Sequence, residues 1–209
     1  CEQVKRIGFD VNGGLAEYVK VPINNLVPLP STLDFNAAIL ADAGETVYHA
    51  FKKLPQKPGA YVIIMGIGGL GSLAVQIAKI LGYEVIAIDI INEKLNYAKE
   101  LGADYIFNIR ELDPTTAANE ILSKIGTKIY AFMDFVGNEY SQELAVKLLK
   151  RKGFLIQVGY LTNITYNKIY TKSLVWNELS IMGSVGANIN DLYEVIDLAS
   201  RNRLKLNVT

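Results

Sequence analysis

The chain is 209 residues long, half of them hydrophobic and a fifth charged, with 21 acidic side chains balancing 21 basic ones. That length holds one large domain, or one domain with part of another, and buries enough surface to fold without disulfides. The neutral balance and the lack of a basic cluster argue against nucleic acid or an anionic membrane as partner. No apolar run approaches the ~20 residues of a bilayer span. Cys1 is the single cysteine, so no internal disulfide forms, which fits a reducing, cytoplasmic setting. The opening Cys1-Glu2-Gln3-Val4-Lys5-Arg6 has neither an initiator Met nor the apolar stretch of a secretory signal, and the chain stops at Thr209 just after a strand start. Both ends are therefore expected to be internal to a longer protein.

From Cys1 to about Pro30 the text reads as short strands and turns: Asn12-Gly13-Gly14, then Leu15–Val21, then Pro22, Pro28 and Pro30. Proline and glycine at this density interrupt regular structure. After Ser31 apolar strands alternate with amphipathic helices. Tyr61–Met65 is the first strand, and Ser72–Leu81 a helix with Leu73, Ile77 and Leu81 on one face beside Ala74 and Ala78. Glu84–Asp89 is the second strand, followed by a helix that Asn92 is expected to cap and that runs through Leu101. Tyr105–Asn108 reads as a strand, Thr115–Ile125 as a helix, Ile129–Asp134 as a strand and Glu139–Lys150 as a helix. Phe154–Gly159 and Leu179–Met182 complete six strands, and Asp191–Ala199 is a last helix. Such alternation specifies a parallel sheet covered on both faces, the doubly wound Rossmann arrangement with strand order 3-2-1-4-5-6.

Gly66-Ile67-Gly68-Gly69-Leu70-Gly71 lies directly after the first strand, at the mouth of a helix. In this spacing Gly66 permits the tight turn, Gly68 lets backbone approach a pyrophosphate, and Gly71 lets helix pack on strand. The helix start offers free N–H groups to phosphate. Asp89 ends the second strand, where a carboxylate accepts hydrogen bonds from the adenosine ribose and repels a 2′-phosphate, favouring NAD over NADP. The competing reading of Asp89 is a cap for the next helix.

Taken together the motifs resemble the zinc-containing alcohol dehydrogenase family of the medium-chain dehydrogenases. The resemblance is carried by Ile7-Gly8, Gly13–Val19, Ala41–Thr46, Lys57-Pro58-Gly59, Gly66–Gly71, Asp89 with Lys94, Leu101–Asp104, Asp134 to Gly137, and Val158-Gly159. It implies a GroES-like β-barrel catalytic domain of which residues 1–44 are the final part. It further implies an NAD-binding Rossmann domain over residues 45–184 and a return toward the catalytic domain over 185–209. It assigns Asp42 to the catalytic zinc, in the place of a Cys or Asp ligand; a loop acid or helix cap is the alternative. Cys1 falls where the structural zinc lobe has its fourth cysteine, and Thr46 matches a threonine near the nicotinamide. Lys94 matches a lysine that reaches the adenosine ribose, against an ordinary solvated lysine. Val136, Val158, Gly159 and Tyr160 follow strand ends on the nicotinamide side, although Val158 and Tyr160 are equally readable as core and surface. His49, the single histidine, is expected to be structural.

The activity this implies is NAD(H)-dependent, zinc-assisted interconversion of alcohols with aldehydes or ketones, in a dimer or tetramer joined near Leu179–Gly186. Two alternatives stay open: a zinc-free quinone or enone reductase of the same superfamily, and a non-catalytic NAD(H)-binding module.

Overall fold

A computed structural model of the protein describes residues 4–127, 129–160, 171–201 and 203–206. Six parallel strands form one sheet: β1 Tyr61–Met65, β2 Glu84–Asp89, β3 Tyr105–Asn108, β4 Ile129–Asp134, β5 Leu149–Gln157 and β6 Ser180–Gly183. Their order is β3-β2-β1-β4-β5-β6, the arrangement expected from the alternation. The helices are α1 Ala43–Lys52, α2 Gly69–Ile80, α3 Asn92–Glu100, α4 Pro114–Ile125, α5 Glu139–Leu148, α6 Thr171–Trp176 and α7 Ile189–Ser200.

The strands divide their side chains between two cores, because successive residues point to opposite faces. Val62, Ile64, Val85, Ala87, Ala131 and Met133 pack with buried residues of α1, α2, α3 and α7. Ile63, Met65, Ile86, Ile88 and Phe132 pack with α4 and α5. Burial on both faces explains why these strands read as continuous apolar runs.

Strong caps set several helix starts. The Asp113 carboxylate accepts from the N–H groups of Thr115 and Thr116, with Pro114 opening α4. Asn138 and Ser141 form a capping box on α5, and Asn188 and Asp191 form one on α7.

Three expectations need correction. Ile91, not Asn92, precedes α3, and it makes no side-chain cap bond. Asn92 instead accepts from the Asn108 side chain at the end of β3. Lys150 belongs to β5 rather than to the preceding helix, since Leu149 pairs with Ile129 of β4. Sheet hydrogen bonds there override a helical pattern that the local sequence permits equally well. Lastly, Leu15–Val21 forms no strand; residues 4–42 hold one isolated bridge, Ile7 with Val11, and two short 3-10 helices, Ile23–Asn25 and Phe35–Ala41. An extended segment needs a neighbouring strand for its backbone groups, and no described residue supplies one.

Candidate functional site

The site is built where β1 hands over to α2. Gly66 has φ +88°, in the left-handed region, and its N–H donates to the Ile88 carbonyl at 2.8 Å, tying the turn to β2. A Cβ on Gly71 would lie 1.9 Å from the Gly66 carbonyl oxygen, so only glycine lets α2 start this close to the strand. A Cβ on Gly68 or Gly69 would meet nothing within 4 Å, so the open side of both residues is the crevice itself. Gly68 precedes α2 without a side-chain cap bond. The first N–H groups of the helix therefore remain available to an anion, aided by the helix dipole.

Asp89 is 7% exposed and braces this turn. Its Oδ2 accepts from the Ile67 N–H at 2.7 Å, and its Oδ1 accepts from Ile90 N–H at 2.7 Å and Ile91 N–H at 3.1 Å. A carboxylate offers about four lone-pair sites, so these bonds leave capacity for a ribose hydroxyl. Asp89 thus braces the glycine turn and borders the crevice, whereas the cap reading fails, because its bonds end at Ile91, ahead of α3.

Gly66, Ile67, Gly68, Gly69, Leu70, Gly71, Asp89, Lys94 and Val136 are brought together around one crevice of about 480 Å³. Beside it lies a hollow of about 260 Å³ whose walls include Ile90, Ile109, Arg110, Val136 and Tyr140. Arg110 Nε donates to the Ile90 carbonyl at 2.9 Å, linking the ends of β2 and β3 across that hollow. Sequence reasoning missed Ile90, Ile109 and Arg110, although all three directly follow strand ends on the carboxyl side, where open α/β sheets bind ligands.

The loops after β4 and β5 close the far side. A Cβ on Gly66 would meet Val136 Cγ2 at 2.6 Å, so Val136 packs directly against the glycine turn. Gly137 and Gly159 interlock: a Cβ on Gly137 would fall 2.1 Å from the Gly159 oxygen. Val158 and Gly159 are half-buried, whereas Tyr160 projects outward with 85% of its surface exposed.

Residues 69–201 match the family described as zinc-binding dehydrogenase. The chain belongs to the zinc-binding dehydrogenase family. It is 37% identical over 206 residues to an alcohol dehydrogenase of Geobacillus stearothermophilus, covering 98% of this chain and 59% of that one. It is 36% identical over 210 residues to an alcohol dehydrogenase of Moraxella sp. (strain TAE123), covering all of this chain and 60% of the relative. The chain thus spans about three-fifths of the length of these relatives. Among solved structures it resembles the alcohol dehydrogenase of Aeropyrum pernix, with TM-score 0.89 and 35% identity over 100% of this chain and 61% of that one. It also resembles acetophenone reductase of Geotrichum candidum in complex with NAD, with TM-score 0.76 and 29% identity over 88% of this chain and 51% of that one.

Asp42 is exposed, immediately ahead of α1, and its carboxylate makes no cap bond to the helix. Thr46, one turn on, is buried, and its N–H donates to the Asp42 carbonyl at 3.1 Å. Among the described residues no three His, Cys, Asp or Glu side chains converge as metal ligands, so Asp42 alone does not make a zinc site here. Cys1 lies outside the described residues.

Two further carboxylates near α1 had escaped sequence reasoning. Burial, reinforced by the charges of Asp42 and Asp191, pushes the Glu45 carboxyl up to about 7. Asp191 of α7 is fully buried, with its Oδ2 2.8 Å from His49 Nδ1 and its Oδ1 2.9 Å from Lys52 Nζ. Burial works to raise the Asp191 carboxyl, but Lys52, the Asn188 N–H and His49 outweigh it and hold it below the ordinary carboxylate range. His49 therefore ties α1 to α7, in keeping with a structural role.

Proposed function

We propose that this chain is the NAD(H)-binding portion of an oxidoreductase that interconverts alcohols and aldehydes or ketones. The observation that carries the proposal is the open face of Gly68 and Gly69 at the start of α2, in one crevice with the buried Asp89. In this reading the α2 N–H groups hold the pyrophosphate, Asp89 and Lys94 hold the adenosine ribose, and Ile90, Ile109 and Arg110 flank the adenine. Val136, Val158, Gly159 and Tyr160 border the nicotinamide half. When bound, NAD accepts hydride from the alcohol carbon, which is the cofactor's own chemistry. The protein's contribution is to orient the ring and keep water from it.

Zinc assistance is the finer part of the proposal. A zinc ion polarises the alcohol oxygen. Asp42 would be the ligand contributed by this chain, Thr46 would lie toward the nicotinamide, and Cys1 would belong to a structural zinc lobe. Their partners would have to come from residues other than those described. Large exposed apolar side chains in residues 4–42, among them Phe9 at 82% and Leu15 at 107% exposure, support the reading of that segment as part of a catalytic domain. β6 ends the sheet with one edge unpaired among the described strands, which supports homo-oligomerisation there. No described helix is long and apolar enough to cross a membrane.

Fluorescence titration with NADH and NADPH tests the proposal. We expect saturable NADH binding and a weaker response to NADPH. Absence of NADH binding, or a preference for NADPH, would overturn it. Zinc analysis and alcohol-oxidation assays on a full-length protein containing this chain separate the zinc-assisted reading from a zinc-free reductase and from a binding module.

A further inference from the structure

Asp134 ends β4 and is completely buried, yet it has no place in the cofactor contacts described so far. Its position is special. In the strand order β3-β2-β1-β4-β5-β6 the winding reverses between β1 and β4, and Asp134 stands in register with Met65, the last residue of β1. Open α/β sheets bind dinucleotides across that reversal, so one half of the ligand lies over the ends of β4 and β5.

From there Asp134 reaches both loops that face this half. Its Oδ1 accepts from the N–H groups of Val136 and Gly137, each at 2.9 Å, and its Oδ2 accepts from Ser141 Oγ at 2.6 Å. Its main-chain carbonyl accepts from the N–H groups of Val158 and Gly159, again at 2.9 Å each. Phe135 N–H donates to the Met65 carbonyl at 3.0 Å, so the same loop is stitched to β1. The interlocked Gly137 and Gly159 hold the two loops against each other.

A buried carboxylate is costly, and burial pushes the Asp134 carboxyl above its ordinary range despite Ser141, the two loop N–H groups and the Gln157 side chain. An apolar side chain would avoid that cost but would leave the loop donors without partners. The residue type is therefore explained by the acceptors it supplies.

We infer that Asp134 is a positioning residue that fixes the spacing of the Val136–Gly137 and Val158–Gly159 loops, and thereby the nicotinamide half of the crevice. The inference rests on the NAD(H) reading given above. It weights the halves of the ligand differently: the glycine turn, Asp89 and Lys94, which meet the adenosine half, make no bond to the Asp134 side chain, and of that side chain's partners Val136 also borders that half.

The test compares NADH with ADP-ribose, which lacks the nicotinamide, in the wild-type chain and in Asp134→Ala, Asp134→Asn and Ser141→Ala, with a thermal melt of each. Wild type is expected to bind NADH more tightly than ADP-ribose. Asp134→Ala is expected to weaken NADH by about tenfold and ADP-ribose by less than about twofold. Asp134→Asn keeps an oxygen acceptor for both loop N–H groups, and its amide can donate to Ser141 Oγ, so it restores the NADH affinity. If Asp134→Ala does not fold, Ser141→Ala carries the test, with a loss of about threefold confined to NADH. Equal loss for both ligands, no loss for either, failure of the Asn variant to rescue, or equal wild-type affinities would each overturn the inference. Absence of binding to both ligands in the wild type would instead strike down the NAD(H) reading itself.

Discussion

Replacing Gly71 with alanine provides a sharp test of how the glycine turn divides its labour. The added methyl would sit 1.9 Å from the Gly66 carbonyl oxygen and 2.9 Å from the Gly66 carbonyl carbon. Relief requires a shift of about 1 Å or more between α2 and the end of β1, because the obstacle is backbone and has no rotamer to change. Overpacking of this kind costs about 3 kcal/mol, and the better helix propensity of alanine returns about 1 kcal/mol or less. A net loss of about 2–3 kcal/mol corresponds to a melting point lower by about 4–12 °C for a chain of this size. Gly68→Ala is the matched control. Its φ of −97° suits an L-residue, and its methyl meets nothing within 4 Å. Its stability should stay within about 0.5 kcal/mol of wild type while NADH affinity falls by about tenfold or more, since the methyl fills the phosphate approach. Circular-dichroism melts and NADH titrations of the two variants measure both quantities. A Gly71→Ala protein that melts with the wild type, or a Gly68→Ala protein that binds NADH normally, would refute the reasoning.

Asp89→Asn keeps one acceptor oxygen for the turn but removes the charge that opposes a 2′-phosphate, so the NADH-to-NADPH affinity ratio should fall by about tenfold in paired titrations. An unchanged ratio would show that Asp89 only braces the turn. Asp191→Ala strips the buried partner from His49 and Lys52 and should cost about 2–3 kcal/mol in urea unfolding, below the usual loss for a buried pair because both partners reach solvent. The depressed Asp191 carboxyl contributes stability that is present above its unfolded value of 3.8 and is lost as pH falls through its lower folded value. Glu45 has the opposite sign: with its carboxyl raised from 4.5 to about 7, its contribution is full below 4.5 and is lost as pH rises through about 7. Glu45→Gln should therefore flatten the stability profile between those values, and an unaltered profile would assign the slope to another group.

The sequence by itself determined the order of strands and helices, because a short apolar run and a helical period are local patterns that survive without knowledge of neighbours. It also marked the glycine turn ahead of α2. Glycine at positions 66, 68 and 71 and an acid at 89 stand at intervals that only a strand–turn–helix–strand unit explains. Helix and strand ends were less legible, as Lys150 and Asn92 illustrate, since the partner that decides each one, β4 for the first and Asn108 for the second, lies elsewhere in the chain. Tertiary structure alone decided which buried acids matter. His49 and Lys52 meet Asp191 across a separation of about 140 residues, and Asp134 gathers loops that follow two different strands. In one dimension Asp134 is a lone charged residue in an apolar stretch, and Asp191 is one of several acids in an amphipathic helix. Folding supplies their roles, because burial makes an unpaired polar group costly and the chain must bring distant partners to meet it.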